Sequence, residues 1–355
     1  MRSLIFGYGI TGQSFARYLL KSSIDFDIYD QSSVDHPNAF TALPDRKKLE
    51  SYQAVYMSPG VNLRKLYPNN ELKNFLYLTD LDVFFQEDHS YKIGITGTNG
   101  KSTCCMHLGQ LIENSQILGN FGIPLLDKIN SGKQYSIIEL SSFQLEKMQQ
   151  NFLDYGVLLN LRSDHLDHHG TLQNYHNAKK RILQSKKSST NNDPFFIYHE
   201  IMGKPYQGAL SYEHLVNLPH RLEVCQLGNG MKIINDSKST NLDSLQYALT
   251  NLPKSAYHHL IIMGDPAKEQ YTNLKIAGPS NVFICGKYSD LLAKKVSHPN
   301  KLIFCSLGDV LQHIKSLNHK SGILFSPGHP SGEDFKNFEV RGDYFKSLAK
   351  DTFDG

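Results

Sequence analysis

The residues best suited to chemistry in this chain lie between Gly94 and Thr103, Gly-Ile-Thr-Gly-Thr-Asn-Gly-Lys-Ser-Thr. A glycine-rich turn that ends a strand and opens a helix leaves backbone N–H groups free, and the helix dipole favours an anion there. Gly97, Thr98, Asn99, Gly100 and Thr103 would cradle the phosphates of a nucleoside triphosphate. Lys101 would reach the β- and γ-phosphates, and the Ser102 hydroxyl would ligate Mg²⁺. The spacing is tighter than the general phosphate-loop pattern, with only two residues between Gly97 and Gly100. A second glycine turn, Gly7-x-Gly9-x-x-Gly12, matches the dinucleotide fingerprint, with Asp27 and Asp30 about 20 residues on. The same turn holds another nucleotide diphosphate equally well. His165, His168 and His169 form a third group whose spacing would suit zinc.

These groups need rigid elements beneath them. Ser3–Phe6 reads as a strand, Gln13–Lys21 as a helix, and 26–30 and 54–57 as further strands, a βαβ pattern that implies a parallel sheet. A strand at 91–95 leads into the phosphate loop and a helix from Cys104 to Ile112, with strands at 135–140 and 155–160. The polar run from Gln184 to Asp193 has the composition of a loop. Beyond Leu218, strands are expected at 232–234, 260–263, 282–285, 302–305 and 323–325, most of them separated by helical stretches. The expected architecture is α/β in three domains. A Rossmann-like domain spans 1–90, a phosphate-loop domain 91–217 and a second Rossmann-like domain 218–355.

Composition narrows the function. The chain has 355 residues, 40% hydrophobic and 20% charged, with a formal charge of +3, which gives no electrostatic case for nucleic acid. No apolar run is long enough to span a membrane, and the first residues enter a strand without a signal-peptide pattern. The five cysteines lack a C-x-x-C pair and read as reduced thiols. A cytoplasmic monomer with no membrane insertion is expected.

From Gly94 to Thr103 the chain resembles the Mur ligase family. The resemblance continues in order through 118–124, 139–145, 160–167, 175–179, 218–223 and 235–241. It ends with 326–331 and 335–342, which, with Glu139–Leu145, are most similar to the D-glutamate-adding members.

The resemblance implies an ATP-dependent reaction. ATP would phosphorylate the carboxylate of UDP-N-acetylmuramoyl-L-alanine, and the amine of D-glutamate would attack the acyl phosphate, in synthesis of a peptidoglycan precursor. Two anions must meet, so cations must screen them. By resemblance, Glu139 and His165 would join Ser102 in holding two Mg²⁺ ions. Lys179 would be carbamylated by CO₂ and act as a further metal ligand; only the neutral amine reacts, so burial should lower its pKa. Arg221 would hold phosphate, Asp236 ribose, and Lys238 the acyl phosphate. Gly9, Ile10 and Thr11 would meet the UDP diphosphate, Asp30 the uracil or ribose, and Asn120 and Ser141 the muramoyl-alanine end. Thr240, Lys268, Ser331 and Phe338 would surround D-glutamate.

The pattern departs from the family in three places. The stretch from Lys179 to Arg221 is short, so part of the central domain is expected to be missing. Around Lys268 the paired glycines of the family are replaced by Met263-Gly264, and His329 and Pro330 are atypical. Two rival readings follow: a ligase for another acceptor amino acid, and a non-catalytic module that binds a UDP-sugar or nucleotide.

Overall fold

The computed structural model describes residues 2–162, 165–268, 271–317 and 322–354. It divides into two compact units, 1–216 and 217–355. The first contains two parallel sheets rather than one.

Strands β1 (Ser3–Phe6), β2 (Phe26–Tyr29), β3 (Ala39–Phe40) and β4 (Val55–Met57) form the first sheet in the order β3-β2-β1-β4, all parallel. Strands β5 (Tyr91–Thr96), β6 (Ser115–Gly119), β7 (Tyr135–Glu139), β8 (Tyr155–Leu158) and β9 (Lys187–Ser189) form the second, in the order β6-β7-β5-β8-β9, again all parallel. Apolar side chains of both sheets, among them Ile5, Ile28, Leu118 and Ile138, share one buried cluster. Arg17 and Ser14 on the first helix also bind Asp127 of the second region, at 2.6 and 2.9 Å.

The second unit has strands β10 (Glu223–Gln226), β11 (Lys232–Asn235), β12 (His259–Met263), β13 (Leu274–Lys275), β14 (Asn281–Cys285), β15 (Val296–Ser297), β16 (Lys301–Ile303) and β17 (Ile323–Gly328). Its main sheet runs β10-β11-β17-β12-β14-β16, with only β10 antiparallel, and β13 pairs with β15. Parallel strands buried on both faces read as unbroken apolar runs, which is why Leu260–Met263 and Val282–Cys285 were legible.

Two local expectations need correction. The polar run 184–193 is not all loop: Lys187–Ser189 pairs with β8 as an edge strand, where one-sided hydrogen bonding tolerates exposed polar side chains. The first helix begins at Ile10 and the phosphate-loop helix at Lys101, each earlier than its apolar periodicity announces. The five cysteines are all free.

Gly119 shows how closely the second sheet is built. Its φ is +98°, and a Cβ there would stand 2.5 Å from the Glu139 carbonyl oxygen. Gly119→Ala is therefore expected to lower stability by about 1–3 kcal/mol, read as a shift in the urea midpoint of unfolding. An unchanged midpoint would mean that the backbone there relaxes freely.

Candidate active site

The phosphate loop leaves the carboxyl end of β5, beside the switch point at which connections pass to opposite sides of the strand. That is where open parallel sheets bind ligands. Asn160 pins the loop, its side chain accepting from the Asn99 N–H and donating to the Asn99 carbonyl, both at 3.0 Å. The Thr98 hydroxyl meets the Tyr175 hydroxyl at 3.1 Å and accepts from the Arg162 N–H at 3.0 Å. Gly100 caps the helix that follows. The Lys101 ammonium is folded back on its own loop, 3.0 Å from the Gly97 carbonyl and 3.1 Å from that of Thr98. The cation thus sits over the anion cradle. Ser102 is buried on the first turn of the helix.

Strand register carries Glu139 to this end of the sheet, where it pairs with Ile95. Its side chain is 2% exposed. Oε1 accepts from the Asn120 amide at 2.9 Å, whereas Oε2 is buried with no hydrogen-bond partner among the described residues. A buried carboxylate oxygen left without a proton donor is costly unless a cation faces it. Lys179 arrives from the helix Leu172–Lys180 and is 2% exposed; its ammonium lies 2.8 Å from the Gly97 carbonyl and 3.4 Å from the Thr96 hydroxyl. It also stands over the Tyr175 ring at 5.0 Å. His165 is exposed, with a φ of +50° and its ring 6.3 Å from that of Tyr175. The oxygen donors fit a hard divalent cation: a buried carboxylate with an idle oxygen and a helix-start hydroxyl. Glu139, Ser102 and His165, with Lys179 once carbamylated, would hold Mg²⁺ here and screen phosphate charge.

A cavity of about 720 Å³ begins at the first glycine turn and reaches the edge of this cluster. Gly9, Ile10, Thr11, Asp30, Asn120 and Ser141 all line it, so the structure brings together the six residues expected at the UDP substrate. The third glycine of the turn is required by contact, since a Cβ on Gly12 would sit 2.1 Å from the Gly7 carbonyl oxygen. The two acids separate. Asp30 accepts from the Tyr8 N–H at 2.7 Å and faces the cavity, while Asp27 is held by Arg2 and Tyr52 at 2.8 and 2.9 Å. The Ser141 hydroxyl is engaged in a capping box with Gln144. Asn120 touches both regions, lining the cavity and donating to Glu139.

In the second unit, Asp236 follows β11 and accepts from the Ser326 hydroxyl at 2.7 Å and the Leu222 N–H at 3.2 Å. Burial pushes its carboxyl up to about 7, against hydrogen bonds and Arg221, which pull it down. The Lys238 ammonium lies 4.3 Å from the centre of the Phe338 ring. Ser331 is buried, its hydroxyl without a partner, and Thr240 is half-buried before the helix Leu242–Asn251. The Lys268 side chain lies outside the described residues.

Sequence reasoning missed Arg341. Fully buried, it donates to the Ser237 carbonyl at 2.7 Å, the Ser237 hydroxyl at 3.1 Å and the His329 carbonyl at 3.0 Å. It thereby ties the Asp236–Lys238 loop to the Ser331 loop. An arginine in a polar helix start carries no signal that it will be buried. His329, atypical by sequence, is also buried. It contacts the Tyr271 hydroxyl at 2.9 Å and the Pro327 carbonyl at 3.0 Å, and burial pushes its imidazole down to about 4.

Asp236 and His329 give opposing pH slopes. Asp236 holds its proton more tightly when folded, so its stabilisation falls as pH rises from about 4 to about 7. His329 is neutral when folded, so stability is lost as pH falls from 6.5 towards about 4. Asp236→Asn is expected to remove the first slope and leave stability rising with pH across this range. Urea midpoints at several pH values check it, and a variant profile parallel to the parent's would sink the assignment.

The Mur ligase middle domain matches residues 95–202, the region of the phosphate loop, Glu139 and Lys179. The UDP-N-acetylmuramoylalanine--D-glutamate ligase of Buchnera aphidicola is 27% identical, covering 98% of this chain and 97% of its own. That of Vibrio vulnificus is also 27% identical, with the same coverage. Along nearly its whole length the chain is similar to ligases of that name. The fold agrees. The MurF ligase of Thermotoga maritima, solved with ADP, superposes with a TM-score of 0.60 at 13% identity, covering 99% of this chain and 95% of its own. A pseudomurein peptide ligase from Methanothermus fervidus gives 0.52 at 12% identity, covering 100% and 99%. The Buchnera alignment runs over 436 positions against 355 residues here, so this chain leaves at least 81 of them unfilled.

Proposed function

We propose that this chain is an ATP-dependent ligase that adds D-glutamate to UDP-N-acetylmuramoyl-L-alanine through an acyl phosphate, acting in the cytoplasm as a monomer in three domains. The observation that carries the reading is Asn120, which lines the substrate cavity while donating to Glu139 beside the phosphate loop. The near-full-length likeness to ligases of that name supports the same substrates.

The cavity would hold the UDP-sugar with its diphosphate at Gly9–Thr11 and its alanyl carboxylate towards Asn120. Lys101 would move from the Gly97 and Thr98 carbonyls onto the γ-phosphate, cancelling charge as the phosphoryl group passes to the carboxylate. Mg²⁺, held by Ser102, Glu139, His165 and carbamylated Lys179, would supply the remaining screening. The carbamate is supported by the burial of Lys179 and would be read by ¹³C resonance after growth in labelled bicarbonate. Arg221 and Asp236 would hold the nucleotide. Lys238 would stabilise the acyl phosphate, and Thr240, Lys268, Ser331 and Phe338 would orient D-glutamate. Its amine attacks the acyl carbon, and the tetrahedral intermediate expels phosphate to leave the amide.

The test is phosphate release from ATP with UDP-N-acetylmuramoyl-L-alanine, with and without D-glutamate, beside a panel of other amino acids. Release that needs the sugar nucleotide and D-glutamate together supports the reading. Release with a different acceptor moves specificity to the region of His329 and Pro330. Nucleotide binding without turnover supports a non-catalytic module and makes the missing length decisive.

A further inference from the structure

The loop that carries His165 also builds a cluster that the proposed reaction does not use. Glu146, on the helix Ser142–Lys147, faces His168 and His169 at the end of the short helix Leu166–His169. One oxygen of Glu146 and one nitrogen of each histidine all lie within 4.8 Å of one another. Glu146 Oε2 is 3.0 Å from His168 Nε2, and Oε1 is 3.7 Å from His169 Nδ1. Ligand atoms around a tetrahedral zinc ion stand about 3.3 Å apart, given metal–ligand bonds of about 2.0–2.2 Å. The two distances straddle that spacing.

A second observation points the same way. His169 is completely buried, and its Nε2 lies 2.9 Å from the Ser142 hydroxyl, yet its Nδ1 has no hydrogen-bond partner. If Nε2–H donates to Ser142, the Nδ1 lone pair is left facing Glu146. A hydrogen bond on the far nitrogen fixes a metal-binding histidine in this way.

We infer that Glu146, His168 and His169 form a binding site for a divalent cation of the zinc class, gated by Arg64. Two imidazole nitrogens with one carboxylate suit zinc and its transition-metal neighbours, whereas Mg²⁺ takes oxygen ligands. Arg64 is the resident cation, 2.7 Å from Glu146 Oε1 and 3.2 Å from the His169 carbonyl oxygen. Its side chain is 57% exposed, so it can swing into solvent when a metal enters. His168 also lines the substrate cavity, which places the metal in its wall. The site does not depend on the ligase reading.

The probe is Co²⁺, titrated into the full chain near pH 7.5 with Mg²⁺ in large excess to fill oxygen-rich sites. Intense visible bands of tetrahedral Co²⁺, bleached by one equivalent of Zn²⁺, are expected. His168→Gln and Glu146→Gln should each lose the bands. Arg64→Ala should tighten Co²⁺ binding about two- to fivefold, the worth of an exposed ion pair. Weak octahedral bands, or bands unchanged in both glutamine variants, overturn the site. Should either glutamine variant fail to fold, Arg64→Ala decides, because it removes the competing cation and leaves all three ligands in place: unchanged Co²⁺ affinity there also overturns the site.

Discussion

Lys101→Ala is expected to cut turnover by about 10²–10³-fold, the usual effect of removing one group that stabilises transition-state charge. Lys101 opens the helix behind the phosphate loop, and its ammonium already lies within 3.1 Å of two loop carbonyls. No other lysine among the described residues has both this position and this reach. Little stability should be lost, because the Gly97 carbonyl keeps the Lys179 ammonium at 2.8 Å. The loss should therefore appear in kcat, measured as phosphate release, with an unchanged melting temperature. A variant that keeps a tenth of the parent rate would show that charge on the transferring phosphoryl group is screened elsewhere.

Glu139→Gln is expected to have a comparable effect with a different signature. The amide keeps the shape and can still accept from Asn120, but it loses the charge behind the idle Oε2. A cation held partly by that oxygen should bind more weakly, so the Mg²⁺ concentration for half-maximal rate should rise steeply while affinity for the UDP-sugar changes little. Saturating Mg²⁺ should restore part of the rate in Glu139→Gln and none in Lys101→Ala. A Glu139→Gln enzyme with the parent's Mg²⁺ dependence would remove Glu139 from the metal set.

Much of the fold was legible because its signals are local. Apolar runs such as Leu260–Met263 and Val282–Cys285 announce strands buried on both faces, and the phosphate loop announces itself by spacing alone. The glycine turn at Gly7–Gly12 was equally plain, but its choice of acid was not. Asp27 and Asp30 fit the fingerprint alike, and only packing of Arg2 and Tyr52 against Asp27 removes it from the cavity. The edge strand Lys187–Ser189 was illegible because its polar side chains need no core, only the free hydrogen bonds of β8.

The histidines make the same division more sharply. Their spacing raised the question of a metal, but the resemblance directed attention to His165. The partner that joins His168 and His169 is Glu146, some 20 residues earlier, on a separate helix. Arg341 is a parallel case, since its three carbonyl and hydroxyl acceptors come from two distant loops.

The sequence by itself determined the α/β class, the anion-binding loop and the kinds of residue available for phosphoryl chemistry. These follow from periodicity and from glycine and charge at fixed short spacing, which act within a few residues along the chain. The tertiary structure alone decided that Glu139 sits beside Ile95 with one oxygen unsatisfied, and that Asn120 links it to the cavity at the first glycine turn. It also decided which histidines meet a carboxylate. Strand register and burial set those relations, and both are properties of segments brought together across long stretches of chain, where no local pattern can record them.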